Sequence, residues 1–234
     1  MTKGTIIPMT VDEKVLAAFY DIISESKQEI YDRIAADRTR HIVVVMENIR
    51  KDHNASAVMR TCDCFGIQDL HTIEKDVTYV VQREIAKGAS TWIDLHSHSI
   101  GENPGLECID GLKKQGYQII CTSPHTEQTL EDIDLQQPSA LVFGTEIHGI
   151  SRDILDVADQ TIRLPMYGFT ESFNVSVSAA LSLHSLRNRL EKSNINWRLS
   201  HEDQIKLKIQ WCTKIIRDGE AVEREIRRRI FEKE

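Results

Sequence analysis

The chain has 234 residues, of which 41% are hydrophobic and 28% charged, with a formal net charge of −7 at pH 7. That is enough apolar material for one packed domain, alone or with helical extensions, and it excludes an intrinsically disordered chain. No run reaches the ~20 apolar residues a membrane-spanning helix needs, and Met1–Thr10 carries no apolar signal core. A soluble, cytoplasmic protein without a membrane partner is expected. Five cysteines, an odd number without a secretion signal, point to reduced thiols. Cys62-x-Cys64 lacks a second close ligand pair. His96-x-His98 beside Asp94 offers metal donors, but alternation along a strand explains the spacing more simply, and no metal is expected.

Thr10 and Glu13 have capping-box spacing. Val15, Leu16, Phe19, Ile22, Ile23, Ile30 and Ile34 follow at mostly helical intervals. One helix is expected ahead of the first strand, ending in the basic run Arg33, Arg38 and Arg40. Ile42–Met46 is a continuous β-branched and apolar run, which predicts a buried parallel strand. After the loop Glu47–His53, Asn54 is a good helix N-cap and Gly66 a plausible stop. Ala55, Val58, Met59, Cys62 and Phe65 form one apolar stripe, with Arg60 on the opposite side.

Leu70–Ile73 reads as a second strand and Val77–Val81 as a short β-prone piece before Lys87–Trp92. Ile93–His98 alternates as a strand does. Asn103–Gln115 is helical, with Pro104 in its first turn. Tyr117–Cys121 is a buried strand ending at Thr122, where ligand contacts cluster in α/β sheets. Ala140–Phe143 is a strand, Ser151–Val157 a short helix, and Thr161–Leu164 the last strand. A helix opens near Glu171–Asn174, and Ser176, Ser178, Ala179 and Ala180 let it approach another backbone closely. His201–Ile230 is one long helix or two, with Ile205, Ile209, Cys212, Ile216, Val222, Ile226 and Ile230 as apolar positions. Arg224, Arg227, Arg228 and Arg229 make its basic end. Strands separated by helices argue an α/β fold with a mainly parallel sheet. The expected organisation is an N-terminal helical extension over 1–40, a central domain over 41–192 and a C-terminal helical extension over 193–234.

The richest stretch runs from Leu141 to Leu183. Gly144-Thr-Glu-Ile-His-Gly149 follows a strand and resembles the dinucleotide fingerprint, but Glu146 replaces its middle glycine. A carboxylate there repels a phosphate, which disfavours a nucleotide-binding oxidoreductase. The turn suits a ligand that is neutral or positive, such as S-adenosylmethionine. For such a turn alone, a tight strand–helix connection without ligand is the plainer reading.

Met46-Glu-Asn48, His53 to Asp63 with Gly66, Gly144-Thr-Glu146 with Gly149, Leu164-Pro-Met166 with Gly168, and Ser172 to Val177 occur in order and well spaced. Together they resemble the SPOUT superfamily of methyltransferases, and within it the tRNA (guanosine-2'-O)-methyltransferase family, from about His41 to Leu190. Phe173 is the clearest departure, since the family usually has Leu there. The resemblance implies an α/β trefoil knot, S-adenosylmethionine as cofactor, tRNA as partner, and a homodimer. It implies a cofactor pocket of Thr122, Gly144, Leu164, Met166, Phe173 and Asn174. It places Asn54, Glu146, Ser172 and Asn174 around the target nucleotide, with Glu146 holding Arg60 or Asn54. Arg60 is the expected catalytic group. A guanidinium practically never deprotonates, so its expected role is to stabilise the developing alkoxide and a phosphate while a phosphate oxygen or water takes the proton. The expected activity is 2'-O-methylation of a D-loop guanosine, of the guanosine-18 type. Alternatives are methylation of ribosomal RNA or another tRNA position, and a silent RNA-binding scaffold, which would have lost Arg60 or Asn174. Beside an RNA enzyme, the N-terminal basic run would be a solvated face or a contact for tRNA phosphates, and the C-terminal helix would pack on the N-terminal one, offer a tRNA-contacting face, or do both.

Overall fold

The computed structural model describes residues 9–49, 52–74, 86 and 88–232. Ile42–Glu47 forms strand β1, and all six residues are buried, as a β-branched run without polar alternation requires. Five further strands follow among the described residues: β2 (Asp69–Ile73), β3 (Asp94–His98), β4 (Gln118–Thr122), β5 (Ser139–Phe143) and β6 (Gln160–Ile162). Helices α1 (Val11–Tyr20), α2 (Glu25–Ala36), α3 (Asp52–Cys64), α4 (Ala89–Trp92), α5 (Pro104–Lys114), α6 (Arg152–Val157), α7 (Val175–Glu191), α8 (His201–Ile215) and α9 (Gly219–Phe231) are described. None is long and apolar enough to cross a membrane.

The strands pair in parallel, in the order β3-β2-β1-β5-β4-β6. The chain builds outward from β1 to β3, then crosses over and builds the other half. The direction therefore reverses between β1 and β5. In open α/β sheets, a crevice opens beyond the carboxyl ends of the strands at that point.

Because side chains alternate across a strand, β1 feeds two cores. Ile42, Val44 and Met46 pack with Val58, Met59 and Cys62 of α3 and with Ala179, Leu183 and Leu186 of α7. Val43 and Val45 pack with Cys108, Ile109 and Leu112 of α5 and Ile154 of α6. Ser56 on α3 and Ala179 and Ser182 on α7 are fully buried, so small side chains line the place where these helices meet. Gly66 ends α3 at φ +71, and Ile67 N–H returns to Cys62 O at 2.9 Å.

Two expectations about this sheet and its helices shift, and one is not tested. Helix α3 begins at Asp52, so Asn54 lies inside its first turn and is not its N-cap. Strand β6 ends at Ile162, which leaves Leu164 in the segment beyond it. Val77–Val81 and Lys87 lie outside the described residues.

Residues 39–198 form one compact unit, and 1–38 with 199–234 another. The second unit contains α1, α2, α8 and α9. The single helix expected at its start is two helices. Ser24 is extended at ψ 150, and Gln28 Nε2 donates to Tyr20 O and Ile23 O at 2.7 and 3.2 Å, satisfying carbonyls where α1 ends. Val15 and Phe19 are fully buried, and Tyr31 meets Trp211 edge-on at 5.3 Å. The second long segment also divides. Asp218 adopts φ +55, and a Cβ on Gly219 would come within 2.1 Å of Thr213 O.

The basic runs are largely occupied. Arg38 is 2% exposed and lies over the Trp211 ring. Arg40 pairs with Asp69 and Asp94 at 2.8 and 2.7 Å. Of that run, Arg33 is exposed. In α9, Arg227, Arg228 and Arg229 pair with Glu223, Glu225 and Glu225.

Candidate active site

The loop after β5 sits at the reversal point. A Cβ on Gly144 would fall 2.2 Å from Gly149 C and O and 2.4 Å from Ile150 N, so the loop closes only with glycine there. Gly149 adopts φ +67. Thr145 and Gly149 exchange backbone hydrogen bonds at 2.9 and 3.0 Å, and His148 N–H donates to Thr145 Oγ1 at 2.9 Å. The closed turn carries Glu146 and Ile147 between its pinned ends.

Glu146 is where three distant segments converge. Its Oε1 accepts from Asn54 Nδ2 at 2.9 Å and from Asn174 Nδ2 at 2.8 Å. Asn174 Nδ2 also donates to Asn54 Oδ1 at 3.1 Å. Asn174 Oδ1 accepts from Ser176 N–H at 2.9 Å and Ser176 Oγ at 2.6 Å, which caps α7. Asn174 thus uses its amide in two directions, starting a helix and holding a carboxylate. Asn54 is 4% exposed, and bonding to a charged acceptor offsets the burial of its amide.

Beside this cluster lies an open crevice of about 770 Å³, within the ~300–1,000 Å³ typical of small-molecule sites. Thr122, Gly144, Leu164, Met166 and Phe173 line it, with Glu146 and Ser172. Thr122 Oγ1 donates to Val142 O at 3.1 Å, tying the ends of β4 and β5 together. Ser172 is exposed. A smaller hollow of about 100 Å³ shares Thr145 to His148 and Val175 with the crevice, and Asn54 lines it. Sequence reasoning missed Ser123 to His125 and Phe169 on the crevice wall. The first three directly follow β4 at the sheet's carboxyl edge, a placement that would have flagged them.

Arg60 stands apart. It is exposed on α3 and lines neither hollow. Six residues beyond Asn54, it lies ~9 Å further along the helix axis and well around it. Among the described residues its guanidinium makes no ion pair. Glu146 therefore holds Asn54, as one of the two expected options had it, and no contact joins it to Arg60.

The model of the SpoU rRNA Methylase family matches residues 41–184 of this chain. A tRNA (guanosine(18)-2'-O)-methyltransferase of Borreliella burgdorferi is 32% identical over 211 residues, 90% of this chain and 95% of its own. The Escherichia coli K12 protein of the same name is 32% identical over 167 residues, 70% of each chain. The crystal structure of the A. aeolicus TrmH/SpoU tRNA modifying enzyme matches with a TM-score of 0.72 at 28% identity, over 82% of this chain and 98% of that one.

Proposed function

This chain belongs to the SpoU rRNA Methylase family, and we propose that it transfers a methyl group from S-adenosylmethionine to the ribose 2'-hydroxyl of a D-loop guanosine in tRNA, of the guanosine-18 type. Membership makes it a methyltransferase. The names of the relatives support tRNA over ribosomal RNA as substrate. The observation that carries the reading is the Asn54–Glu146–Asn174 cluster at the mouth of a crevice of cofactor size.

The crevice suits this donor. Leu164, Met166 and Phe173 offer apolar surface to an adenosine, and Thr122 and Gly144 offer polar and backbone contacts. Asn174, expected among them, does not line the crevice and acts on it through Glu146. Glu146 gives the mouth a negative charge that favours a cation and repels a phosphate. When bound, S-adenosylmethionine supplies an electrophilic methyl on a sulfonium. Glu146, pinned by two amides, and Ser172 orient the acceptor ribose. Orientation removes the entropic part of the barrier, that of bringing the 2'-oxygen into line with the methyl at ~3 Å. A water or a phosphate oxygen takes the proton.

Arg60 acts from a second copy. A twofold homodimer, the commonest closed symmetry, brings the guanidinium of one subunit to the other's crevice and stabilises the developing alkoxide. Support comes from exposed apolar side chains near this mouth. Ile147 is 82% exposed, and Tyr167 and Phe169 are 97% and 108% exposed. In this reading the carboxyl-terminal segment threads a loop to make a trefoil knot, and the small residues after Asn174 suit close threading.

Labelled methyl transfer into total tRNA and total ribosomal RNA, followed by nucleoside mapping, tests the assignment. The expected product is 2'-O-methylguanosine in the tRNA D-loop. Label confined to ribosomal RNA would replace the substrate, and label in neither would defeat the reading.

A further inference from the structure

A second cluster of reactive side chains lies on the β2–β3 edge of the sheet. His71 stands opposite His96 and Ile73 opposite His98 in the parallel register. Asp69, His71, Asp94, His96 and His98 therefore share one face. Helix α5 supplies Cys108, 3% exposed, to the core on that face. His71 Nδ1 and His98 Nε2 are 3.0 Å apart, and their rings stack at 5.3 Å. One donor atom each from His71, His98 and Cys108 lies within 4.8 Å of the others.

His96 has a different job. Its Nε2 lies 2.7 Å from Asp69 Oδ1, Asp69 pairs with Arg40, and the His96 ring stacks on His71 at 4.5 Å. His96 and Asp69 buttress His71 from outside the donor set.

We propose that His71, His98 and Cys108 bind one transition-metal dication, Zn²⁺ foremost, with solvent in the fourth position. Imidazole and thiolate donors select zinc over the oxygen-seeking magnesium and calcium. Ligation needs both rings neutral and the thiol deprotonated, so on binding Cys108 releases one proton to solvent and coordinates as thiolate. Tetrahedral zinc with these bond lengths places ligand atoms roughly 3.3–3.6 Å apart. The His71–His98 contact opens slightly and Cys108 closes in. His98, half-buried, leaves an entry path. None of the three lines the crevice, so the cation is a clip that ties α5 to the edge strands and takes no part in methyl transfer.

The test uses the full chain, free of any tag and stripped with EDTA, titrated with Co²⁺. One equivalent should produce a thiolate-to-cobalt charge-transfer band and tetrahedral visible absorption, both erased by Zn²⁺. Cys108→Ser should lose the charge-transfer band, and Cys64→Ser, altering an exposed thiol, should keep it. His98→Gln, a half-exposed change that leaves the core intact, should weaken Co²⁺ binding more than ~100-fold, beyond what an outer-shell change costs. It should also abolish the EDTA-reversible rise in melting temperature with Zn²⁺. Absence of the band in the wild-type chain, its survival in Cys108→Ser, or Co²⁺ binding by His98→Gln within ~100-fold of wild type overturns the proposal.

Discussion

The helical unit of the two termini and the mouth of the crevice use charge in opposite ways. In α9 each of three successive arginines has a carboxylate three or four residues away, and Arg227 also reaches Asp12 at 2.8 Å. That basic run is neutralised within its own unit. At the crevice, by contrast, Glu146 is held by two neutral amides; apart from it on α3, Arg60 is exposed without an acidic partner among the described residues. A dense row of like charges in a sequence thus marks a self-satisfied surface. The isolated Arg60 makes no ion pair among the described residues, and on that ground we propose it for the substrate.

The sharpest way to break that contrast is at Arg60. Arg60→Ala should lower methyl transfer about 10²–10³-fold, the loss seen when one preorganised donor to a developing oxyanion is removed. Arg60→Lys should recover little, because lysine lacks the bidentate fork. Near-full activity of the lysine variant in a steady-state assay would leave only a generic charge effect.

Asn174 comes next. Asn174→Asp keeps a good helix cap but sets a second carboxylate against Glu146 and removes the amide donor. The melting curve should stay close to wild type while turnover falls about 10²-fold, the scale of a misplaced reacting group. An active aspartate variant would mean that the cap matters and the cluster does not. Gly144→Ala should be smaller still. Its methyl would meet Gly149 backbone at 2.2 Å, an overpacking cost of about 1–3 kcal/mol, read as a lower urea midpoint with turnover reduced because Glu146 moves.

The smallest effect is expected in α9. Arg228→Gln should leave the KM for tRNA and its salt dependence unchanged, since that side chain is engaged by Glu225 and Glu232. A fall of about one in the salt slope would reveal a phosphate contact and remove the contrast.

The strands were readable because a buried parallel strand is a short β-branched run bounded by turns, as Ile42 to Met46 is. The site was readable where backbone geometry demands a residue type, as at Gly144. What eluded the sequence depends on distant pairing. Arg40 looks like surface charge until Asp69 and Asp94 are brought beside it. Asn54 looks like a helix cap by spacing alone; the family resemblance names it beside Arg60 as a partner for Glu146, and only the pairing across ninety-two positions chooses between the two. His96 and His98 read as strand alternation, while His71 and Cys108, which complete their cluster, lie on other elements.

The Glu146 clamp also bears on when the molecule becomes competent. Its amide donors lie 92 and 28 positions away along the chain, and the two asparagines are 120 apart. Such contacts form late, after the loop-closure entropy has been overcome. A polypeptide still emerging from the ribosome just short of residue 174 would carry all six described strands and still have no working mouth, so methylation waits until the helix after the last strand begins.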